Sequence, residues 1–572
     1  MSLAAQDGSN RVLGPNNSKA LAPGKKRPDM SWRDHLVMLL SFGAAAEHCL
    51  MVQYLYAAYS MRTAGETSDH ARMIEGWRSQ ILAVAREEMG HLLTVQNVLL
   101  LLGAPPALDR DDSVWARKYY PYPFSLEPLS LETLACFVYA EMPEIKGAFD
   151  TALEPKPAEL LQKVFETVAT KFGPDHALDV HRVGALYDEI IALISDEDRI
   201  PDSAFNGASY EFQASWDEWG RGYKPEPYEL QPDGSRTPVD AERITRQKKD
   251  KASSKFLVRL DWDTSEAVEA YVRIDRMATR ANAVKALHNI AKQGEAPHLS
   301  RKAHLKHTHE FSHFDRFLKV YEELSAEMEK TPGWSPAAGV SSNPTTRQLD
   351  DNEAGAVQTV AAVSSKPTAR RLDPAEEKFA QITAVVAKRL AQLFNQRYRL
   401  LLNYLAHSFR LAGTQRVDRP NLRAMLMHRV FGEMYNLKTL AGLLVRAPRA
   451  AAGEADPSHA YEGAREWAGP PFEMPYSLTL PDADIDVWRA HADLIRTSLR
   501  TAEQLLEEAD DPAKRKRQAD PAEQKEPWTK VKADLGAAGA EPFVRALIDL
   551  DTQAEAWILA IVAGRLNRAA RP

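Results

Sequence analysis

Two Glu-x-x-His pairs in this chain have the residue types and the spacing of a metal site. The pairs are Glu88 with His91 and Glu310 with His313. Residues three apart lie on one face of an α-helix, so each pair can direct a carboxylate and an imidazole to one point. Carboxylate oxygens and neutral imidazole nitrogens together suit iron or manganese. We therefore predict that both pairs bind metal.

Two further glutamates complete a recognisable ligand set. Helical bundles that hold two metal ions use a Glu-x-x-His pair from each of two helices and one Glu from each of two others. Glu47 and Glu141 stand among apolar residues of two predicted helices. A Glu on an apolar stripe costs several kcal/mol unless it is paired or bound to metal. The predicted metal ligands are Glu47, Glu88, His91, Glu141, Glu310 and His313.

Alternatives to single members of this set remain open. Glu87 or Glu144 could replace Glu88 or Glu141 if the helices are rotated, although Glu87 breaks the three-residue spacing and Glu144 follows a proline. A third pair, Glu295 with His298, contains a proline near a predicted helix end, and we interpret it as a chance occurrence.

Tyr54 is the candidate catalytic residue. It lies seven residues after Glu47, on the same helical face, where its hydroxyl could donate to a bound oxygen species or a substrate; a core tyrosine would show the same spacing. His48 points to another face, and we assign it a structural role. The second half of the chain contains no Glu-x-x-His pair, and we interpret its scattered histidines as structural.

Apolar residues recur at three- and four-residue steps in nearly every long segment, and strand signals are sparse, so the sequence predicts an all-α fold. A helix Trp32–Met61 should pair with an antiparallel helix Met73–Leu102, which ends at Gly103. The other predicted helices are Leu131–Met142, Pro157–Phe172, Asp179–Ser195, Glu266–Gln293, Ser300–Lys330, Ala375–Ala412, Leu422–Val445, Asp484–Glu508 and Glu541–Asn567.

Breaks in composition predict the domain organisation. Residues 1–30 should be a disordered leader, and residues 31–330 a four-helix bundle with a covering insertion at about 201–254. Pro, Ser, Thr and Gly dominate 331–373, which we interpret as a linker. Residues 374–572 should form a second helical domain that covers the bundle or makes a homodimer interface.

Composition excludes several classes of protein. Lys and Arg number 72 against 79 Asp and Glu, a formal charge of -7, and no basic excess indicates a nucleic-acid partner. Only two cysteines occur, which argues against a disulfide framework or a cysteine-ligated metal. No uninterrupted apolar run approaches ~18 residues, so we predict no membrane span and a cytoplasmic protein.

Four segments resemble the ferritin-like iminophenylpyruvate dimer synthase family, which includes the chromopyrrolate-type synthases. They are GAAAEHCLMVQYLYAAYS, AREEMGHLLTVQNVLLLLGAPP, YPYPFSLEPLSLETLACFVYAEMPE and EFSHFDRFLKVYEEL, within about residues 32–325. The resemblance implies a ferritin-like bundle, supports the same six ligands position by position, and implies oxidation of amino-acid-derived imines in secondary metabolism. It also implies iron or haem.

These observations predict an oxidase or oxygenase with two iron ions, or manganese in their place, that uses dioxygen on a small amino-acid-derived substrate. An iminophenylpyruvate-type oxidative dimer synthase containing haem is one alternative. The other is a non-catalytic iron-binding or interaction protein.

Overall fold

The structure of the protein is a computed structural model. The described residues are 30–62, 66–110, 124–142, 155–172, 183–215, 218, 228–230, 236–238, 272–295, 312–337, 382, 384–412, 422–449, 467–474, 478–510 and 528–569.

The first half of the described chain is helical. Its helices are α1 (Trp32–Ser60), α2 (Ser68–Leu101), α3 (Leu131–Ala140), α4 (Pro155–Phe172), α5 (Val183–Ser195), α6 (Arg280–Glu295) and α7 (His313–Lys330). Short 3-10 turns at Asp202–Ala204 and Gly207–Phe212 and one hairpin, β1 (Tyr228–Leu230) with β2 (Arg236–Pro238), complete it. The predicted all-α class is confirmed.

Helices α1 and α2 form the predicted antiparallel pair. Arg33, at the start of α1, donates to the Leu102 carbonyl at the end of α2 at 3.0 Å. Ser31 and Thr67 cap the two helices, because each side chain accepts the backbone N–H three residues later. Gly103 follows α2 with φ of 67°, a conformation that glycine adopts without strain.

By length and composition alone, helix α1 could cross a membrane. However, 67% of its apolar 18-residue stretch is buried within the fold. It packs against α2 and α5, and its apolar side chains enter the buried core with those of α3, α6 and α7. A buried core helix meets the same length and composition criteria, which accounts for this one.

One predicted helix begins later than its apolar pattern indicated. The expected helix Glu266–Gln293 is α6, which starts at Arg280, and residues 272–277 before it are not helical. Side chains hold that segment: Gln213 accepts from the Met277 N–H and donates to its carbonyl, at 2.7 and 2.8 Å. Asn97 of α2 donates to the Asp275 carbonyl at 2.9 Å. These side chains satisfy the backbone groups that a helix would otherwise pair.

The second half of the described chain is another set of packed helices: α8 (Val385–Ser408), α9 (Leu422–Leu444), α10 (Asp484–Asp510), α11 (Trp528–Ala538) and α12 (Glu541–Ala569). Arg397 of α8 is buried at their centre. It donates to Glu433 of α9 at 3.2 Å, to Ser498 of α10 at 2.6 Å and to Asp551 of α12. The buried guanidinium thus joins four helices.

Buried contacts connect the two halves. Arg110, which follows α2, donates to the Phe472 carbonyl, and Arg423 of α9 donates to the Phe212 and Gln213 carbonyls at 2.7 and 2.8 Å. The start of the predicted linker packs on the first half, because Trp334 stacks on the His70 ring with 4.4 Å between ring centroids. The domain boundaries stay a prediction.

Candidate metal centre

Four helices of the first half bring the predicted ligands together. Glu47 lies in the middle of α1, Glu88 and His91 lie on successive turns of α2, and Glu141 is the C-terminal cap of α3. His313 is the first residue of α7. All of these residues are at most 3% exposed to solvent. A cluster of carboxylates and imidazoles is therefore enclosed in the core.

The cluster consists of two groups that share Glu88. In the first group, His91 Nδ1 lies 2.9 Å from Glu88 Oε2 and 3.5 Å from Glu47 Oε2. In the second group, His313 Nδ1 lies 2.8 Å from Glu88 Oε1 and 3.6 Å from Glu141 Oε2. Within each group, one ligand atom from each of the three residues lies within 4.8 Å of the others. The two oxygens of Glu88 thus face two different histidines.

Two buried atoms in the second group are better placed to bind a metal than to bond to each other. Glu88 Oε1 and His313 Nδ1 are buried and lie 2.8 Å apart, but their relative orientation is not that of a hydrogen bond, and neither atom has another hydrogen-bond partner among the described residues. A buried polar atom without a partner costs about 1–3 kcal/mol. A divalent cation between them would be bound by both, and the mixed carboxylate and imidazole donors suit iron or manganese. The residues present therefore fit the predicted metal.

Glu310, the sixth predicted ligand, lies outside the described residues. The expected helix Ser300–Lys330 begins at His313, because Ser312 is its N-terminal cap, with φ of -63° and ψ of 163°. The helix expected to run without a break from Ser300 is therefore interrupted at Ser312, and the place of Glu310 in the ligand set stays a prediction. Ser312 accepts the Asp315 backbone N–H at 3.3 Å, a capping bond that fixes the start of α7.

Glu87, considered above as a substitute ligand, contacts the far side of His313. Its Oε2 lies 3.0 Å from His313 Nε2, and its Oε1 accepts from Arg316 at 3.0 Å. On the opposite side of the cluster, Gln293 Oε1 lies 3.1 Å from His91 Nε2. Each histidine therefore directs Nδ1 to the carboxylate groups and Nε2 to an oxygen acceptor. Such outer hydrogen bonds orient a metal-binding imidazole.

Two tyrosine hydroxyls contact the outer glutamates. Tyr54 donates to Glu141 Oε1 at 2.5 Å, so its hydroxyl does reach the cluster. Tyr187 of α5 donates to Glu47 Oε1. Sequence reasoning missed Tyr187, because its spacing in α5 is that of an ordinary buried residue. The structure also gives His48 contacts outside the cluster, with the Leu108 carbonyl and with Tyr398.

Burial and charge set the protonation of the cluster. Burial, and then the charge of Glu88, raises the pKa of Glu47 to about 7. Burial alone would lower the pKa of His91, but Glu88 and Glu47 outweigh it and raise that pKa to about 10. The same balance raises the pKa of His313 well above its usual value, and the nearby histidines outweigh burial to lower the pKa of Glu88. The neighbouring carboxylates thus favour the protonated form of both histidine rings.

Two glycines allow the backbone to approach this site closely. A Cβ on Gly90, between Glu88 and His91, would lie 2.6 Å from the Arg273 carbonyl oxygen. A Cβ on Gly294 would lie 3.2 Å from Glu141 Oε2. The non-helical segment before α6 and the end of α6 therefore pack directly against the ligand-bearing helices.

A family model matches part of the first half of the chain. Residues 40–222 match the ferritin-like family model. The chain contains a ferritin-like domain. The match includes three of the clustered carboxylate residues, Glu47, Glu88 and Glu141, together with His91.

Two curated proteins are similar in sequence to this chain, one over most of its length and one over a shorter part. The chain is 26% identical over 504 residues to the dichlorochromopyrrolate synthase of Lentzea aerocolonigenes, an alignment that covers 83% of this chain and 39% of that protein. It is 32% identical over 164 residues to the 2-imino-3-(indol-3-yl)propanoate dimerase of Chromobacterium violaceum, covering 23% of this chain and 16% of that protein. No solved structure matches significantly. The predicted resemblance is confirmed, and the chain spans well under half the length of these relatives.

Proposed function

We propose that this protein is a metal-dependent oxidase or oxygenase with two iron ions at the Glu and His cluster. The observation that carries the proposal is the position of Glu88, whose two oxygens lie 2.9 Å from His91 Nδ1 and 2.8 Å from His313 Nδ1. One carboxylate between two similar groups suits a pair of cations. A single structural ion would require only one group.

Each of the two groups would hold one metal ion. Glu47 and His91 would bind one ion, Glu141 and His313 the other, and Glu88 would bridge them. When bound, a pair of iron ions supplies the redox chemistry that moves electrons from a substrate to dioxygen. Tyr54 and Tyr187 would orient the two outer carboxylates through their hydroxyls. Burial of the cluster limits access of water to it.

The relatives suggest the class of substrate. The name of one relative describes a dimerase of an indole-bearing imino acid, and the name of the other describes a dichlorochromopyrrolate synthase. We infer a small imine derived from an aromatic amino acid as substrate, in secondary metabolism, with oxidative coupling of two such molecules as the alternative to oxidation of one. Our proposal includes a cytoplasmic location, and it allows a homodimer.

Dioxygen consumption by iron-loaded protein tests this proposal. An aromatic 2-oxo acid condenses with ammonia to form the imine, so no other enzyme is needed to supply the substrate. Mass spectrometry identifies the product. We expect consumption that requires both the imine and Glu88, with Glu88→Ala losing activity and bound iron together. The matched control is Glu508→Gln, which changes a buried glutamate of α10 that pairs with Arg389 at 2.9 Å. Equal consumption by wild type and Glu88→Ala would contradict the proposal, and a Soret band would favour haem.

A further inference from the structure

The two histidines of the cluster differ in the group behind them. His313 Nε2 faces the Glu87 carboxylate at 3.0 Å, and His91 Nε2 faces the Gln293 amide oxygen at 3.1 Å. Glu87 is a carboxyl group that pairs with Arg316, whereas Gln293 is an amide. Each of the two groups that share Glu88 is one half-site of the cluster: Glu47, Glu88 and His91 form one, and Glu88, Glu141 and His313 form the other. The two half-sites therefore have similar ligands and unequal surroundings.

This difference acts on the metal-binding nitrogen. An imidazole that binds metal through Nδ1 keeps its proton on Nε2, and that N–H donates to the acceptor behind it. A carboxylate acceptor withdraws the proton more strongly than an amide oxygen and so makes the imidazole a more basic ligand. His313 should therefore bind a cation more strongly than His91.

The charge of Glu87 is compensated within the fold. Arg316 of α7 lies 3.0 Å from Glu87 Oε1, and Glu87 has no exposed surface. A buried carboxylate needs such a partner, because removal of one member of a buried ion pair is strongly destabilising. Arg316 and His313 are three residues apart on the first turn of α7, so one helix end positions both contacts of Glu87.

Two further described contacts are alike in the two half-sites. Each outer glutamate accepts a tyrosine hydroxyl, from Tyr187 at Glu47 and from Tyr54 at Glu141. Glu88 contributes one oxygen to each group. Among the described contacts of the cluster, the groups behind the histidines are therefore the clearest asymmetry.

We propose that the two half-sites bind metal unequally, and that the group Glu88, Glu141 and His313 takes the first ion because Glu87 lies behind His313. This inference rests on the proposed metal site. It adds an order of loading and assigns that order to Glu87, which acts through His313 as a positioning residue.

Cobalt titration of the metal-free full chain, without dioxygen, tests the order. Calorimetry gives the two dissociation constants, and the visible absorption of bound Co²⁺ follows each event. We expect two events whose affinities differ by about 10–100-fold, the usual effect of an outer hydrogen-bond partner on metal affinity. His91→Ala should retain the tighter event, and His313→Ala should retain only the weaker one.

Glu87→Gln tests the cause. It should weaken the tighter event by about 10–100-fold and leave the weaker one unchanged, so that the two events converge. The control Glu508→Gln also removes a fully buried, arginine-paired carboxylate, and it should change neither event. If Glu87→Gln does not fold, Gln293→Glu decides, because a carboxylate behind His91 should strengthen the weaker event.

The outcomes separate this inference from the metal site itself. Equal affinities in wild type, or a tight event that survives in His313→Ala, would overturn the order of loading while leaving two bound metals. Absence of cobalt binding in wild type would overturn the proposed metal site.

Discussion

His48 of α1 and Tyr398 of α8 share a buried hydrogen bond of 2.5 Å between Nε2 and the phenolic oxygen. His48 Nδ1 lies 3.0 Å from the Leu108 carbonyl, which only accepts, so the proton is on Nδ1 and Nε2 accepts from Tyr398. Burial, and then the charge of Arg110, lowers the pKa of His48 to about 3, consistent with this neutral ring. The residue next to Glu47 thus connects the ferritin-like domain to the second half.

Removal of that hydroxyl should destabilise the protein. Tyr398→Phe leaves the buried His48 Nε2 without a donor, at a cost of about 1–3 kcal/mol in the free energy of unfolding. Denaturant unfolding measures the change. Tyr321→Phe is the control, since Tyr321 is buried and its hydroxyl has no hydrogen bond to the part of the chain that the structure describes. Equal losses in the two variants would show that the bond contributes nothing specific.

Gly90 and Gly76 of α2 should respond in opposite directions to alanine. A Cβ at position 90 would lie 2.6 Å from the Arg273 carbonyl oxygen and 2.9 Å from Val272 Cγ1, so Gly90→Ala should cost about 1–3 kcal/mol through overpacking. A Cβ at position 76 meets nothing within 4 Å, so Gly76→Ala should stabilise the helix by up to about 1 kcal/mol. Thermal unfolding compares them. A neutral Gly90→Ala would contradict the close packing beside the metal cluster.

Stability should fall as the pH drops below about 6.5. Burial, and then the charges of Arg565 and Arg410, lowers the pKa of His407 to about 3, so the unfolded chain binds a proton that the folded chain excludes between these values. The contribution of His407 is therefore complete above the unfolded pKa, and it falls by about 1.4 kcal/mol per pH unit below it. Unfolding of wild type and His407→Gln at pH 7, 6 and 5 tests this. An identical pH dependence of the two proteins would refute it.

Loss of the Arg397 guanidinium should destabilise the second half strongly. Arg397→Met leaves Glu433 and Asp551 buried without their cation, at a cost of about 3–5 kcal/mol. Arg496→Met removes a pair with Glu555 that is 43% and 20% exposed, and it should cost about 1 kcal/mol or less. Chemical denaturation gives both values. Similar losses would mean that burial of the Arg397 network has no special effect.

Helical periodicity was sufficient to predict the residues that share one helix. Glu88 and His91 lie on successive turns of α2, and Glu47 lies on the helix that packs against it. The same reasoning missed Tyr187 and Gln293, because their contacts depend on how α5 and α6 pack against the bundle. It also missed the start of α7, where Ser312 is the N-terminal cap of a helix that the sequence predicted to begin at Ser300. Local spacing predicts a helix face, whereas tertiary packing decides which faces meet.

Metal analysis of the purified full chain tests the central claim most directly. Protein from iron-supplemented cells should contain about two iron ions per chain, as two carboxylate and imidazole groups sharing Glu88 require. Glu88→Ala should lose most of both ions, and Glu508→Gln should retain them. Two ions in wild type with loss in Glu88→Ala would support the bridging role of Glu88. Full iron content in Glu88→Ala, or no metal in wild type after anaerobic reconstitution, would contradict it.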